Sequence, residues 1–220
     1  MNLPKHKIDR HRDNVAEVRR TGRAERTRRA LVESGRRALA AGNFDHAHIS
    51  ELVQGAGVSI GSFYTHFADK TELFAVITSD VIDELASILD SAVADVDDPI
   101  EAVVIHARTL GGLGFSRPDL AAIIAVEGYR LLDHPDLRGR ISRLVDSGIR
   151  QQRLQPPSLD AALDLITGIV IALLRTWHRD SDRSTHTRDW TSDVAEHLLA
   201  VLGSRDSSTT KRFIPLRRTI

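Results

Sequence analysis

One stretch constrains this chain more than any other: residues 48–74, HISELVQGAGVSIGSFYTHFADKTELF. Ile49, Leu52, Val53 and Ala56 recur at spacings of three and four, which puts them on one buried face of a short helix. Gly57 follows. Glycine adopts a left-handed backbone without a side-chain penalty, so it stops the first helix and turns the chain. Val58 plugs the corner, and the Ser59 hydroxyl can accept a backbone N–H to start the next helix. Phe63 and Phe67, four apart, face the core, which leaves Ser62, Tyr64, Thr65 and His66 facing outward. A short helix with polar tips and two aromatic anchors suits presentation better than stability. This is the layout of a helix-turn-helix, whose second helix enters the major groove of DNA.

The residues also resemble a family. Ala56-Gly57-Val58-Ser59, Gly61, Phe63-Tyr64-Thr65-His66-Phe67, Lys70 and Leu73 are similar to the signature of the tetracycline-repressor (TetR) family. The resemblance covers this stretch and the helix before it. It departs at His48, where the family usually has Thr, and this puts the cap of the first short helix in question. The resemblance implies a DNA-binding domain over residues 23–68. Ser59, Gly61, Ser62, Thr65 and His66, with Ile60 beside them, would sit near base edges. Tyr64 and Lys70 would hold phosphates, assisted by Arg23, Arg26 and Thr27, with His48 and Ser50 also at the DNA surface. The bare Cα of Gly61 permits close approach to the groove floor. A dimeric, ligand-responsive repressor is implied, with double-stranded operator DNA and a small-molecule effector as partners.

The rest of the chain reads as helices. Residues 1–22 are polar, mixed in charge and without a steady period, which predicts a disordered leader or a basic arm along DNA. A first long helix is predicted over 23–42. Asp69-Lys70-Thr71-Glu72 has the form of a capping box and opens a helix to about Val93. Asp98-Pro99 opens another, expected to end near Leu110 and fray through Gly111-Gly112-Leu113-Gly114. Those glycines do not form a phosphate-binding loop, because no strand precedes them and no Lys-Ser/Thr follows. Further helices start at Pro118, at His134-Pro135 and at Pro156-Pro157-Ser158, with a polar loop at 180–187 and a last helix from Trp190. No alternating strand pattern occurs. The expected fold is all-α, with a helical effector-binding and dimerisation domain over 69–204 and a polar basic tail over 205–220. Leu159, Leu163, Ile166, Val170, Leu173, Val194, Leu198 and Val201 on the last two helices are candidates for a two-fold four-helix bundle.

Composition sharpens this reading. Residues 1–44 hold twelve Lys/Arg against five Asp/Glu and residues 205–220 hold five against one, while 45–204 hold thirteen against twenty-four. A basic end on an acidic body suggests one surface for a polyanion and a body for something else. The chain has no cysteine, so thiolate chemistry and disulfides are excluded. Its ten histidines form no metal-binding motif, no nucleophile elbow is present, and no cofactor fingerprint occurs; catalysis and metal binding are not expected. Apolar runs such as Ile169 to Leu174 are too short for a membrane span, so a cytoplasmic protein is expected. His106, Leu110, Glu127, Arg130, Trp177 and His178 are the candidates for a ligand pocket among the apolar helices. Two other functions stay open on this reading: an architectural DNA-binding protein without an effector, and a helical ligand-binding protein that has lost DNA binding.

Overall fold

The computed structural model describes the backbone of residues 5–179 and 190–204 and the side chains of 21–176 and 194–204. Nine helices and no strand occur among these residues: α1 (Lys5–Ala40), α2 (Ile49–Ala56), α3 (Ile60–His66), α4 (Lys70–Ala92), α5 (Pro99–Ser116), α6 (Pro118–Leu132), α7 (Pro135–Arg150), α8 (Leu159–Arg179) and α9 (Trp190–Val201). None is long and apolar enough to cross a membrane. The chain divides into two compact units, Met1–Ile77 and Thr78–Ile220. The division falls within α4 rather than at residue 68.

The first unit is small, and its core is correspondingly specific. Leu31, Leu39, Phe44, Leu52, Phe63, Phe67, Leu73 and Ile77 are all buried. Leu73 and Ile77 explain why the unit extends past residue 68: both pack beside Gly35 of α1, where an added Cβ would meet Ile77 Cδ1 at 2.5 Å. Two polar contacts tie α1 to α2. Ser34 Oγ donates to the Leu52 carbonyl at 2.8 Å, and Arg37 donates to the Gly55 carbonyl at 2.9 Å. Gly55 is in the last turn of α2, where carbonyls lack a helical partner.

In the second unit α5 is the central helix. Ile100, Val103, Val104, Ala107, Leu110 and Leu113 on it are buried. It packs against α9 through a cluster that includes Ala195, Leu198, Leu199 and Leu202. The capping residue Asp98 accepts from Ile100 N–H at 2.8 Å and from Arg153 at 2.7 Å, which fastens the start of α5 to the turn after α7. Helices α6 and α8 meet closely at Gly128, where a Cβ would stand 2.5 Å from Ile171 Cγ1.

Three sequence expectations change here. Helix α1 begins at Lys5, directly after Pro4, instead of at residue 23. Residues 5–21 contain neither Gly nor Pro, and one interior glycine, Gly22, costs only ~1 kcal/mol relative to Ala. Helix α5 does not fray at Leu110 but continues to Ser116, because Gly111, Leu113 and Gly114 are buried and packing outweighs weak propensity. The side chains proposed to join two protomers mostly fill their own unit. Leu163, Val170, Leu173 and Leu198 are buried, and Leu159, Ile166 and Val194 pack on the same core. The predicted loop at 180–187 and the tail at 205–220 lie outside the described residues.

Candidate nucleic-acid interface and ligand cavity

The turn between α2 and α3 forms as its residues dictate. Gly57 takes φ 66° and ψ 33°, the left-handed region. Its N–H donates to Gln54 O at 3.1 Å and the next N–H, of Val58, to Val53 O at 3.0 Å. These are the two bonds that close a helix on a left-handed glycine. At the start of α2 the Glu51 carboxylate accepts from the His48 backbone N–H at 2.9 Å. The helix start is therefore held although His48 stands where Thr was expected. Ser59 caps α3, its Oγ accepting from Ser62 N–H at 3.2 Å.

The anchoring of α3 is aromatic. Phe63 and Phe67 are fully buried with ring centroids 5.7 Å apart, and the Arg28 guanidinium lies 5.4 Å above the Phe67 ring. The opposite face stays open. Ile60 is 50% exposed and Tyr64 57% exposed, with Tyr64 packed edge-on against Phe63. Ser59, Gly61 and Thr65 are exposed, while Ser62 and His66 are half-buried. Thr65 Oγ1 donates to Gly61 O at 3.0 Å, and the Ser59 and Ser62 hydroxyls are 2.9 Å apart. A Cβ on Gly61 would meet nothing closer than Ser59 Oγ at 3.9 Å. Nothing among the described residues requires glycine there. Arg23, Arg26, His48 and Ser50 are exposed and Thr27 is half-buried.

Lys70 departs from expectation. Its ammonium donates to three backbone carbonyls, Asp45 at 2.8 Å, Phe44 at 3.0 Å and Ala47 at 3.2 Å, and sits 5.4 Å over the Phe44 ring. An ammonium has three donors, and all three are used. Lys70 therefore clamps the loop between α1 and α2 to the start of α4, and a phosphate contact from it would break a bond already made.

The second unit contains an apolar cavity of ≈ 40 Å³, about three times the space one water needs. It is lined from all six helices of that unit, among them by Leu89, Leu110, Leu137, Ile166 and Val170, and its two polar lining residues are His106 and Thr167. Of the six expected ligand residues, His106 and Leu110 line it. Glu127 and Arg130 do not; they pair with each other at 3.3 Å on α6, and Arg130 is mostly exposed. The side chains of Trp177 and His178 lie outside the described residues. The sequence reading missed Thr167 and most aliphatic lining residues, for which no signal separates cavity wall from packed core. His106 Nε2 lies 3.2 Å from the Leu89 carbonyl. Burial pushes the pKa of His106 down, against smaller opposing effects of that hydrogen bond and of Asp90.

The Lys70 geometry yields a direct test. Lys70→Met is expected to lower stability by about 1.5–3 kcal/mol in urea unfolding, because charged hydrogen bonds to three backbone carbonyls, two of them part-buried, are lost. The salt dependence of duplex binding should stay unchanged. An unaltered stability with a slope smaller by about 0.9, the share of one phosphate, would restore the phosphate role.

Comparisons with known proteins agree with this geometry. The sequence model of "Bacterial regulatory proteins, tetR family" matches residues 31–77, which runs from α1 through the buried Ile77. No curated protein matches the chain by sequence. Among solved structures, a TetR family transcription regulator from Marinobacter aquaeolei VT8 superposes with a TM-score of 0.60 at 18% identity, covering 84% of this chain and 95% of that one. RolR in complex with resorcinol gives 0.56 at 21% identity, covering 90% and 98%. AibR in complex with isovaleryl coenzyme A and operator DNA gives 0.61 at 18% identity, covering 80% and 97%. Residues 31–77 therefore match the sequence model of the tetR family of bacterial regulatory proteins, and the described chain has the fold of solved TetR family transcription regulators.

Proposed function

We propose that this chain is a non-enzymatic, cytoplasmic transcription regulator that binds double-stranded operator DNA as a homodimer and is released by a small molecule. The observation that carries the DNA-binding part is the open face of α3. A helix buried through Phe63 and Phe67 exposes an isoleucine, a tyrosine and a glycine that no internal packing explains. Ile60 can meet a thymine methyl group, which is an apolar feature of the major groove. Tyr64 is placed to give its hydroxyl to a phosphate, with Arg23 and Arg26 adding charge from α1. His48 and Ser50 at the exposed start of α2, and the half-buried Thr27 of α1, are the further DNA contacts in this reading.

The cavity supports the effector part and disfavours a purely architectural role. RolR and AibR are similar in fold and were solved with resorcinol and with isovaleryl coenzyme A. The linking element in this reading is α4. Its residues up to Ile77 belong to the first unit and those from Thr78 to the second, so a ligand that prefers one position of α4 biases the first unit.

The dimer is assigned to the outer face of α8, with α9 beside it. Since the inward residues of both helices are spent on their own core, the free apolar groups are the ones to use. Leu165 and Ala172 on α8 are exposed, as are Val126 and Tyr129 on α6. Sedimentation at micromolar concentration is expected to give about twice the chain mass of 24.3 kDa. Leu165→Arg should return it to one chain mass. A wild-type protein sedimenting as a single chain would remove the two-headed reading of DNA.

The DNA reading is tested by selecting duplexes from a random pool with the full-length protein. Tyr64→Phe is expected to weaken the selected and a random duplex alike, by about 1 kcal/mol, because a phosphate contact carries no sequence information. Ile60→Ala should cost roughly 1 kcal/mol on the selected duplex alone. No enrichment from the pool, or an Ile60→Ala loss equal on both duplexes, contradicts the assignment.

A further inference from the structure

Only two of the fourteen side chains around the cavity are polar, and none carries a fixed charge. A ligand carboxylate, phosphate or ammonium buried there would have no counter-charge among the described lining residues, and burying an unpaired ion costs several kcal/mol. The two polar groups differ in what they offer. Leu89 stands in the last turn of α4, and the N–H of Val93, four residues on, donates to Asp90 O instead. The orphan Leu89 carbonyl is taken by His106 Nε2 at 3.2 Å. A carbonyl only accepts, so Nε2 carries the proton and Nδ1 of the neutral ring keeps a lone pair. No hydrogen bond to Nδ1 occurs among the described residues.

We propose that this cavity binds a small, uncharged, largely apolar molecule with one O–H group, which donates to Nδ1 of His106. The inference rests on the effector-binding reading of the cavity and narrows it to a chemical class. Thr167 is the other polar residue lining the same space. Because burial keeps the His106 ring neutral, the lone pair persists at physiological pH.

Phenol, toluene and benzoate test this, being close in shape and differing in hydroxyl and charge; each is larger than the ≈ 40 Å³ of free space, so binding requires the aliphatic lining to move apart. With the full-length protein in calorimetric titrations, phenol and toluene should bind saturably and compete, with benzoate at least about 100-fold weaker. In His106→Leu the affinity for phenol relative to toluene should fall about 3–10-fold, the value of one neutral hydrogen bond. His106→Leu also removes the cap on Leu89, so the unaltered protein supplies a second readout. The His106 Nδ1 nitrogen resonance should shift on adding phenol and stay in place with toluene. Benzoate binding as well as phenol, an unchanged phenol-to-toluene ratio in His106→Leu, an unmoved Nδ1 resonance or no saturable binding by any of the three overturns the proposal. The effector reading is judged separately on release of a selected duplex. Phenol binding without release leaves this inference standing and defeats that reading. Release by charged compounds, with none of the uncharged probes bound, does the reverse.

Discussion

The burial of two phenylalanine rings is the interaction on which the rest of the N-terminal unit depends. Helix α3 has seven residues, fewer than an isolated helix needs to persist in water. Its position comes from Phe63 and Phe67, each contributing about 1.5–3 kcal/mol by burial. Because these rings lie on one side, the other side can carry residues that contribute little to folding: an exposed isoleucine, an exposed tyrosine and a glycine in a helix. Presentation and stability are separated onto two faces of a single short element.

That arrangement requires a rigid frame, and the frame is largely polar. Lys70 gathers three carbonyls of the loop between α1 and α2, Arg37 takes the Gly55 carbonyl, and Ser34 reaches Leu52. Each donor satisfies backbone acceptors in a unit too small to bury much apolar surface. A cation in a signature motif next to a DNA-reading helix invites a phosphate role. Here the charge serves the fold instead, and the proposed phosphate contacts fall to Tyr64 and the exposed arginines of α1.

Local chemistry made much of this legible in the sequence. The left-handed turn at Gly57, the Ser59 cap, the aromatic anchors and the starts of α4, α5, α6 and α7 each follow from a rule acting over a few residues. What the sequence left hidden depends on contacts between distant segments. Gly111 and Gly114 read as a fraying helix end, yet neighbouring helices bury them. Leu163, Val170 and Leu198 read equally well as a dimer face or as a core, since periodicity gives a helix its apolar side but not its partner. The direction of the Lys70 side chain depended on carbonyls more than twenty residues away. Of the cavity, only His106 and Leu110 were found, the first because a histidine within an apolar helix stands out.

The proposed function couples two properties that need not occur together, an outward reading face in one unit and an apolar cavity in the other, through a helix whose residues belong to both. Linkage makes this coupling measurable. An effector found by screening for release of a selected duplex is titrated into the protein with and without saturating duplex. If α4 carries the coupling, the duplex weakens effector binding by the same factor by which effector weakens DNA binding, typically ~5–150-fold. Equal effector affinities in the two titrations would contradict it, because a ligand with no differential affinity for the two states shifts neither.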